Sequence, residues 1–403
     1  MSTRRENGEG SKPIQRKDGR WQINLAHVDQ DGRQRRTSIT GRTEAEVRRK
    51  RKEVAKRIAA GQPARDKKVT LDDWVEKWIT GALAVSDRKE STKAMYATVA
   101  RKHITGSCIG GHTLDKLRPS SVETWLVELR TKGLSQSTVR SAYAILRAIL
   151  DTAVRDGDLG VNPVAAVKRP KVDQSEAHYL TPGQVQDLLD AAHGSRYAPM
   201  FTLLVNTGMR RGEALALRWT DVDFDEGLVR VRGTLSRVAG DLVVTAPKTA
   251  KSVRVIPLSS AAADLLKAVR LQQKKERLAA GSQWRQTGFV FTTELGEPCD
   301  PRNALRALKA AQSKHNRAMD QAIREARGEA ERSALGAQKL PPIGLHTLRH
   351  SAASIMLSNG VPLKVVSELL GHASVAITGD VYGHVSPDVS RDAVAKLGAA
   401  LGA

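Results

Sequence analysis

Two stretches of this 403-residue chain read as linkers between its folded segments, and they govern what it can fold into. Gly61 to Lys68 carries Pro, Gly and charge but no hydrophobic period, and the run from Asn162-Pro163 to Arg169-Pro170 is basic and proline-marked. Proline fixes φ and removes an amide donor, so such stretches read as linkers. They divide the chain into 1–66, 67–170 and 171–403, as expected for a length that supports two or three domains. Hydrophobic residues make up 40%, enough for each segment to bury a core of its own.

The first segment alternates. Trp21, Ile23 and Leu25 are spaced for a half-buried strand, the turn-forming Asp29-Gln30-Asp31-Gly32 follows, and a second strand is expected from Arg33 to Ile39. A helix is expected from Thr43 to Ala60, with Val47, Val54 and Ile58 inward and Arg48, Arg49, Lys52 and Lys56 outward. Residues 1–68 hold 20 Lys and Arg against 9 Asp and Glu, half of the chain's net +22. A surplus so concentrated favours a polyanion, because each phosphate neutralised releases condensed counterions. Arg33, Arg35 and Arg36 lie on a strand able to enter a DNA groove; the plainer reading is a solvated basic surface.

The second segment is helical. Thr70 is placed to cap a helix with Leu71, Trp74 and Trp78 on one face, and Ser91 to Ile104 follows, carrying Met95 and Val99. Ser120 and Glu123 have capping-box spacing after Pro119. A fourth helix starts at Ser135, with Val139, Tyr143, Leu146 and Ile149 inward, and ends near Gly157. These stripes are core rather than a ligand box. The third segment opens on Thr181-Pro182-Gly183-Gln184, an N-cap pattern. Helices around Met200–Val205 and Gly212–Leu217 precede strands near Leu228–Arg232, Leu242–Ala246 and Val253–Pro257. The remainder is largely helical, with an exposed helical insertion from Ser313 to Gly336.

Only Cys108 and Cys299 are present, which excludes a disulfide scaffold and a Cys-rich zinc site and fits a reducing cytosol. Met1 to Lys12 lacks the apolar core of a signal peptide, and no apolar span or lipidation motif points to a membrane.

Five fragments carry chemistry. In Thr207-Gly208-Met209-Arg210-Arg211-Gly212-Glu213 a glycine turn sets Arg210 at a helix N-terminus, where phosphate binds, and Glu213 is spaced to orient it. Alone, Arg-x-x-Glu is an ordinary surface pair. Lys248, in a turn between two strand-like runs, is read as a hairpin-tip lysine able to protonate a leaving oxygen; alone it is a solvated lysine. His346 and Arg349 share a helix face, and His350 raises a two-histidine metal site that lacks the glutamate of the His-Glu-x-x-His pattern. In Leu369-Leu370-Gly371-His372 the glycine ends a helix and exposes His372, by itself a polar cap. Tyr382 stands in the glycine-flanked stretch Thr378-Gly379-Asp380-Val381-Tyr382-Gly383-His384 and, in isolation, reads as a half-buried tyrosine.

Taken in order, these fragments resemble the tyrosine recombinase (phage integrase) family. Its Arg, hairpin Lys, His-x-x-Arg, second His and C-terminal Tyr match Arg210, Lys248, His346, Arg349, His372 and Tyr382. The resemblance covers the whole chain. It implies a multidomain, mainly α fold with small β elements: an arm-type DNA-binding sheet-plus-helix domain, a helical core-binding (SAM-like) domain and a mixed α/β catalytic domain. It also implies an integrase of a temperate phage or integrative element that joins and, with a partner, excises DNA through a 3′-phosphotyrosine. Double-stranded attachment-site DNA, a homotetramer, an excision factor or host DNA-bending protein, and a bacterial cytoplasm near the nucleoid belong to that expectation; a cofactor or metal does not. Two features depart from the pattern: Gly379 replaces a larger residue, which would loosen the tyrosine segment, and the Ser313–Gly336 insertion precedes His346. The tail Asp388–Leu401 has helical spacing suited to docking on a neighbouring subunit or on its own domain. A type IB topoisomerase shares the chemistry, a metal-dependent nuclease is separated by chelator, and a catalytically idle DNA-binding regulator on the same scaffold is separated by a cleavage assay.

Overall fold

The computed structural model describes residues 11–28, 34–59, 69–173, 178–238, 240–246, 253–372 and 374–382. The Asp29–Gly32 turn, Arg33, the Gly61–Lys68 linker, Lys248 and the Asp388–Leu401 tail lie outside the described residues. The chain folds as two compact units, Met1–Asp173 and Gln174–Ala403.

The first unit begins with an antiparallel sheet of β1 (Ile14–Gln15), β2 (Trp21–Val28) and β3 (Gln34–Gly41), in that order. β2 and β3 pair along their length, from Trp21 opposite Gly41 to Val28 opposite Gln34. The two-residue period puts Ile23, Leu25 and Ile39 on one face, which packs on Val47 of α1 (Glu44–Ala59). Arg36 is exposed and stands opposite Ala26; Arg35 is in register with His27. Strand β1 is not expected from the sequence pattern.

A larger core unites α2 (Leu71–Trp78), α3 (Glu90–His103), α4 (Pro119–Thr131) and α5 (Gln136–Arg155). Its buried aromatics keep their polar ends satisfied: Trp74 Nε1 donates to the Ile149 carbonyl at 3.1 Å, and Trp125 Nε1 to that of His103 at 2.8 Å. Thr70 caps α2 in a capping box with Asp73, and α2 runs on into a π-helical turn, Ile79–Leu83. The capping box expected at Ser120 and Glu123 does not form. Pro119, with no amide proton and a preset φ, takes the first helical position, so Arg118 becomes the N-cap and Ser120 falls inside the helix. Met95 is exposed rather than in the core.

In the second unit, α6 (Pro182–Ala192) opens on the expected Thr181–Gln184 capping box. It is followed by α7 (Ala198–Thr207), α8 (Arg211–Ala216), β4 (Val222–Asp223), β5 (Leu228–Val231), β6 (Thr234–Val238), β7 (Asp241–Thr245) and β8 (Arg254–Pro257). The chain continues as α9 (Ser260–Ala280), α10 (Pro301–Glu325), α11 (Glu329–Ala337), α12 (Leu345–Ser358), α13 (Leu363–Leu370) and α14 (Val375–Tyr382). One core runs through Leu188, Phe201, Leu204, Leu215, Val229, Val290, Leu308 and Leu348.

Strands β7 and β8 flank Lys248 but do not pair with each other. β7 pairs with β6, and β8 joins β4 and β5, so the hairpin expected there is a connection between two sheets. Strand β6 is a further element that the sequence pattern does not announce. The buried face of α10, Ala304, Leu308 and Ala311, stops where the expected insertion begins. The inserted turns of α10 and α11 are mostly exposed and are tied back by Lys339 to Asp320 at 2.7 Å. No described helix is long and apolar enough to cross a membrane. The architecture is mainly helical with small antiparallel sheets.

Candidate active site

Two glycines in left-handed conformation build the frame. Gly208 ends α7 at φ 62°, and a Cβ there would lie 2.6 Å from Leu370 Cδ2. Gly371 ends α13 at φ 66°. Each presents its carbonyl to an arginine from elsewhere in the chain. Arg349 Nη1 donates to Gly208 O at 2.8 Å, and Arg210 Nη2 donates to Gly371 O at 3.2 Å.

Arg210 is the N-cap residue of α8. Glu213 reaches back to it, one carboxylate oxygen accepting from the Arg210 backbone amide at 2.8 Å and the other from Nη1 at 2.9 Å. The same carboxylate accepts from Arg254 Nη2 at 2.9 Å. Burial by itself would push the Glu213 carboxyl up; the hydrogen bond and charge of Arg254, then the bonds from Arg210, reverse this and hold it below its ordinary value. Glu213 is therefore a buried anion between two guanidiniums.

Helix α12 supplies His346, Arg349 and His350. Arg349 is 1% exposed, a burial that its place beside Leu348 and Ala352 dictates. His346 reaches solvent, and its ring meets that of His350 edge-on, centroids 4.7 Å apart. Desolvation, followed by the charges of His350, Arg349, Arg210 and Arg211, holds His346 down at about 4. His372 is also held at about 4, by desolvation and then by Arg349, Arg210, His346 and His350. Four residues from three separate segments, Arg210, His346, Arg349 and His372, thus share one electropositive cluster. Among the described residues no group of three or more His, Cys, Asp or Glu converges as metal ligands.

His372 Nδ1 lies 2.8 Å from Thr378 Oγ1, a fully buried hydroxyl on α14. Thr378 is four residues, about one helical turn, before Tyr382, the last residue of α14. The helix that bears the tyrosine backbone is thereby pinned to the second histidine. Gly379 sits within this helix, and a Cβ there would make only an ordinary 3.9 Å contact with Leu363 Cδ2. Lys248 lies outside the described residues, and Arg35 and Arg36 belong to the sheet of the other unit.

Sequence reasoning missed Arg254 and Thr378. The signal for Arg254 was present. It stands two residues before Ile256 on β8, so the strand period places a charge on the face that buries Ile256. Thr378 had no signal beyond its distance from Tyr382.

The family model described as "Phage integrase family" matches residues 178–388, more than half of the chain. A relative named tyrosine recombinase XerC-like, from Caldanaerobacter subterraneus subsp. tengcongensis, is 29% identical over 388 residues, covering 92% of this chain and 93% of the relative. Among solved structures, the Tn1549 transposon integrase in complex with transposon right end DNA superposes with a TM-score of 0.63 at 21% identity, covering 81% of this chain and 99% of that one. A lambda integrase tetramer bound to a Holliday junction gives a TM-score of 0.56 at 17% identity, covering 95% and 98%. The fold, the ordered motif and the family match agree, and the chain belongs to the phage integrase family of site-specific tyrosine recombinases.

Proposed function

We propose that this recombinase integrates a mobile element, and excises it with an accessory factor, by cutting and rejoining DNA through a 3′-phosphotyrosine on Tyr382. The observation that carries this reading is the convergence of Arg210, His346, Arg349 and His372, with His372 held against the helix that bears Tyr382.

Attack on a phosphodiester concentrates negative charge on the nonbridging oxygens, and preorganised cations stabilise it best. Arg210 and Arg349 form that clamp, with a hydrogen bond from His372. The Tyr382 phenol attacks phosphorus while the bond to the 5′ oxygen breaks. Its proton passes to His346, whose ring is neutral at pH 7 and becomes a stronger base once the charge of the bound phosphodiester offsets Arg210 and Arg349. Lys248 protonates the departing 5′ oxygen. A 5′ hydroxyl from the partner duplex then attacks the phosphotyrosine and releases the phenol, so no external energy source is needed.

In this reading residues 1–66 hold arm-type DNA through Arg33, Arg35 and Arg36. Residues 67–170 bind the core site, and 171–403 perform catalysis. Exchange of two strands in each of two duplexes calls for a homotetramer, the assembly named for the lambda integrase structure. The setting is the cytoplasm of a bacterial host. The rival reading, an idle regulator on the same scaffold, is tested by mixing two plasmids that carry the element and host junctions with purified protein. Recombinant product supports the proposal; tight binding without product, with or without the element's accessory factor, supports the regulator.

A further inference from the structure

We propose that Arg254 is a positioning residue for recombination, a single buried guanidinium that sets Arg210 and His372 relative to each other; this rests on the reading that those two residues hold the scissile phosphate.

The Arg254 side chain is 7% exposed. Its Nη2 donates to Glu213 at 2.9 Å and its Nε to the Leu369 carbonyl at 2.6 Å. Gly371 lies against the same group: a Cβ at that position would come within 3.0–3.1 Å of Arg254 Cδ, Nη1 and Nε. One planar fork therefore spans from the carboxylate that orients Arg210 to the last turn of α13. That turn ends in Gly371, whose carbonyl takes the other side of Arg210, and in His372. The contacts close a ring through Arg210, Glu213, Arg254, Leu369 and Gly371. Through β8 it joins α8 to the α13 terminus, the two elements that carry Arg210 and His372 to the phosphate.

A guanidinium suits this place because its donors diverge in a rigid plane and its charge is permanent. Lysine keeps the charge but lacks the fork. A neutral residue leaves Glu213 buried with Arg210 as its single remaining guanidinium partner in this ring, which draws that arginine toward the acid and away from the phosphate. Misplacement by about 1 Å costs roughly 10²-fold in a positioned reaction. The loss should appear in the rate of the bound complex, because Arg254 directs Nη2 and Nε inward, to Glu213 and the Leu369 carbonyl, rather than to the DNA backbone.

The test measures single-turnover covalent adduct formation by full-length protein on a nicked duplex carrying the element's junction sequence, at saturating protein. DNA affinity is followed by anisotropy and Tm by calorimetry. Arg254→Met is expected to slow adduct formation about ten- to a hundredfold with affinity changed less than about threefold, and Arg254→Lys to recover part of the rate. In an Arg210→Lys background the same replacements should cost far less, because the side chain they position is already altered. An unchanged rate per bound Arg254→Met complex would overturn the proposal. So would a full multiplicative loss in the Arg210→Lys background, which reports damage unrelated to Arg210. If Arg254→Met fails to fold, Arg254→Lys carries the same cycle, and a wild-type rate for it overturns the proposal. An adduct in a Tyr382→Phe control would overturn the tyrosine reading instead, visible independently of the Arg254 comparison.

Discussion

The Arg210 guanidinium crosses 161 positions of sequence to donate to the carbonyl of Gly371, 3.2 Å away. The bond ties the N-terminus of α8 to the C-terminus of α13, next to His372. It exists because a left-handed glycine turns that carbonyl outward from the end of its helix.

Gly371→Ala should therefore be costly twice over. The left-handed backbone strains any side chain, and the new Cβ would press on Arg254 at 3.0 Å. A destabilisation of about 1–3 kcal/mol is expected in urea unfolding, with a slower covalent step in the fraction that folds. A variant as stable and as fast as wild type would contradict this role for the turn.

Thr378→Val keeps shape but removes the hydroxyl beside His372 Nδ1. A hydrogen bond of this kind contributes about 1 kcal/mol, so adduct formation should slow by roughly three- to tenfold. DNA affinity should not move, since Thr378 is fully buried. Gel quantification of the adduct at saturating protein checks both parts.

The depressed histidines give a pH signature. His346 and His372 stand near 4 in the folded protein against an ordinary 6.5. Between those values the unfolded chain binds protons that the folded chain does not, so stability falls as pH drops from about 6.5 toward 4. In the DNA-free protein, NMR should find both imidazoles neutral at pH 6. The urea midpoint should fall between pH 7 and 5 more steeply in wild type than in His346→Gln or His372→Gln. An imidazole of either residue titrating at its ordinary value in the free protein would contradict the electropositive cluster.

Replacing Arg33, Arg35 and Arg36 together by Ala should weaken binding to arm-type DNA. Each lost phosphate contact should reduce the slope of log affinity against log salt by about 0.9. Adduct formation on a core-only duplex should be unchanged. An equal loss on both DNAs would mean that these arginines do not serve a separate site.

Local chemistry was legible in the residues, and long-range pairing was not. The Thr181–Gln184 capping box and the Thr70 cap could be read because their partners lie three residues away. The Ser120–Glu123 reading failed because Pro119 competes for the first turn more strongly than serine caps it. Strands β7 and β8 looked like two arms of a hairpin, yet each pairs elsewhere, since strand partners depend on faces that a short apolar run does not reveal. The family motif was readable as an ordered set of residue types. Glu213 beside Arg210 and Gly371 at a helix end were readable singly; the ring that Arg254 closes between them was not, because its contacts join residues 41, 115 and 161 positions apart.

The decisive step is the covalent joining of Tyr382 to DNA. The direct measurement is mass spectrometry of the proteolysed adduct, formed on a nicked duplex carrying the junction sequence in the presence of chelator. One nucleotide-bearing peptide is expected, spanning Tyr382 with a 3′ phosphate on its phenol, and none from Tyr382→Phe. A nucleotide on any other residue, or cleavage that leaves no adduct and stops with chelator, would contradict it.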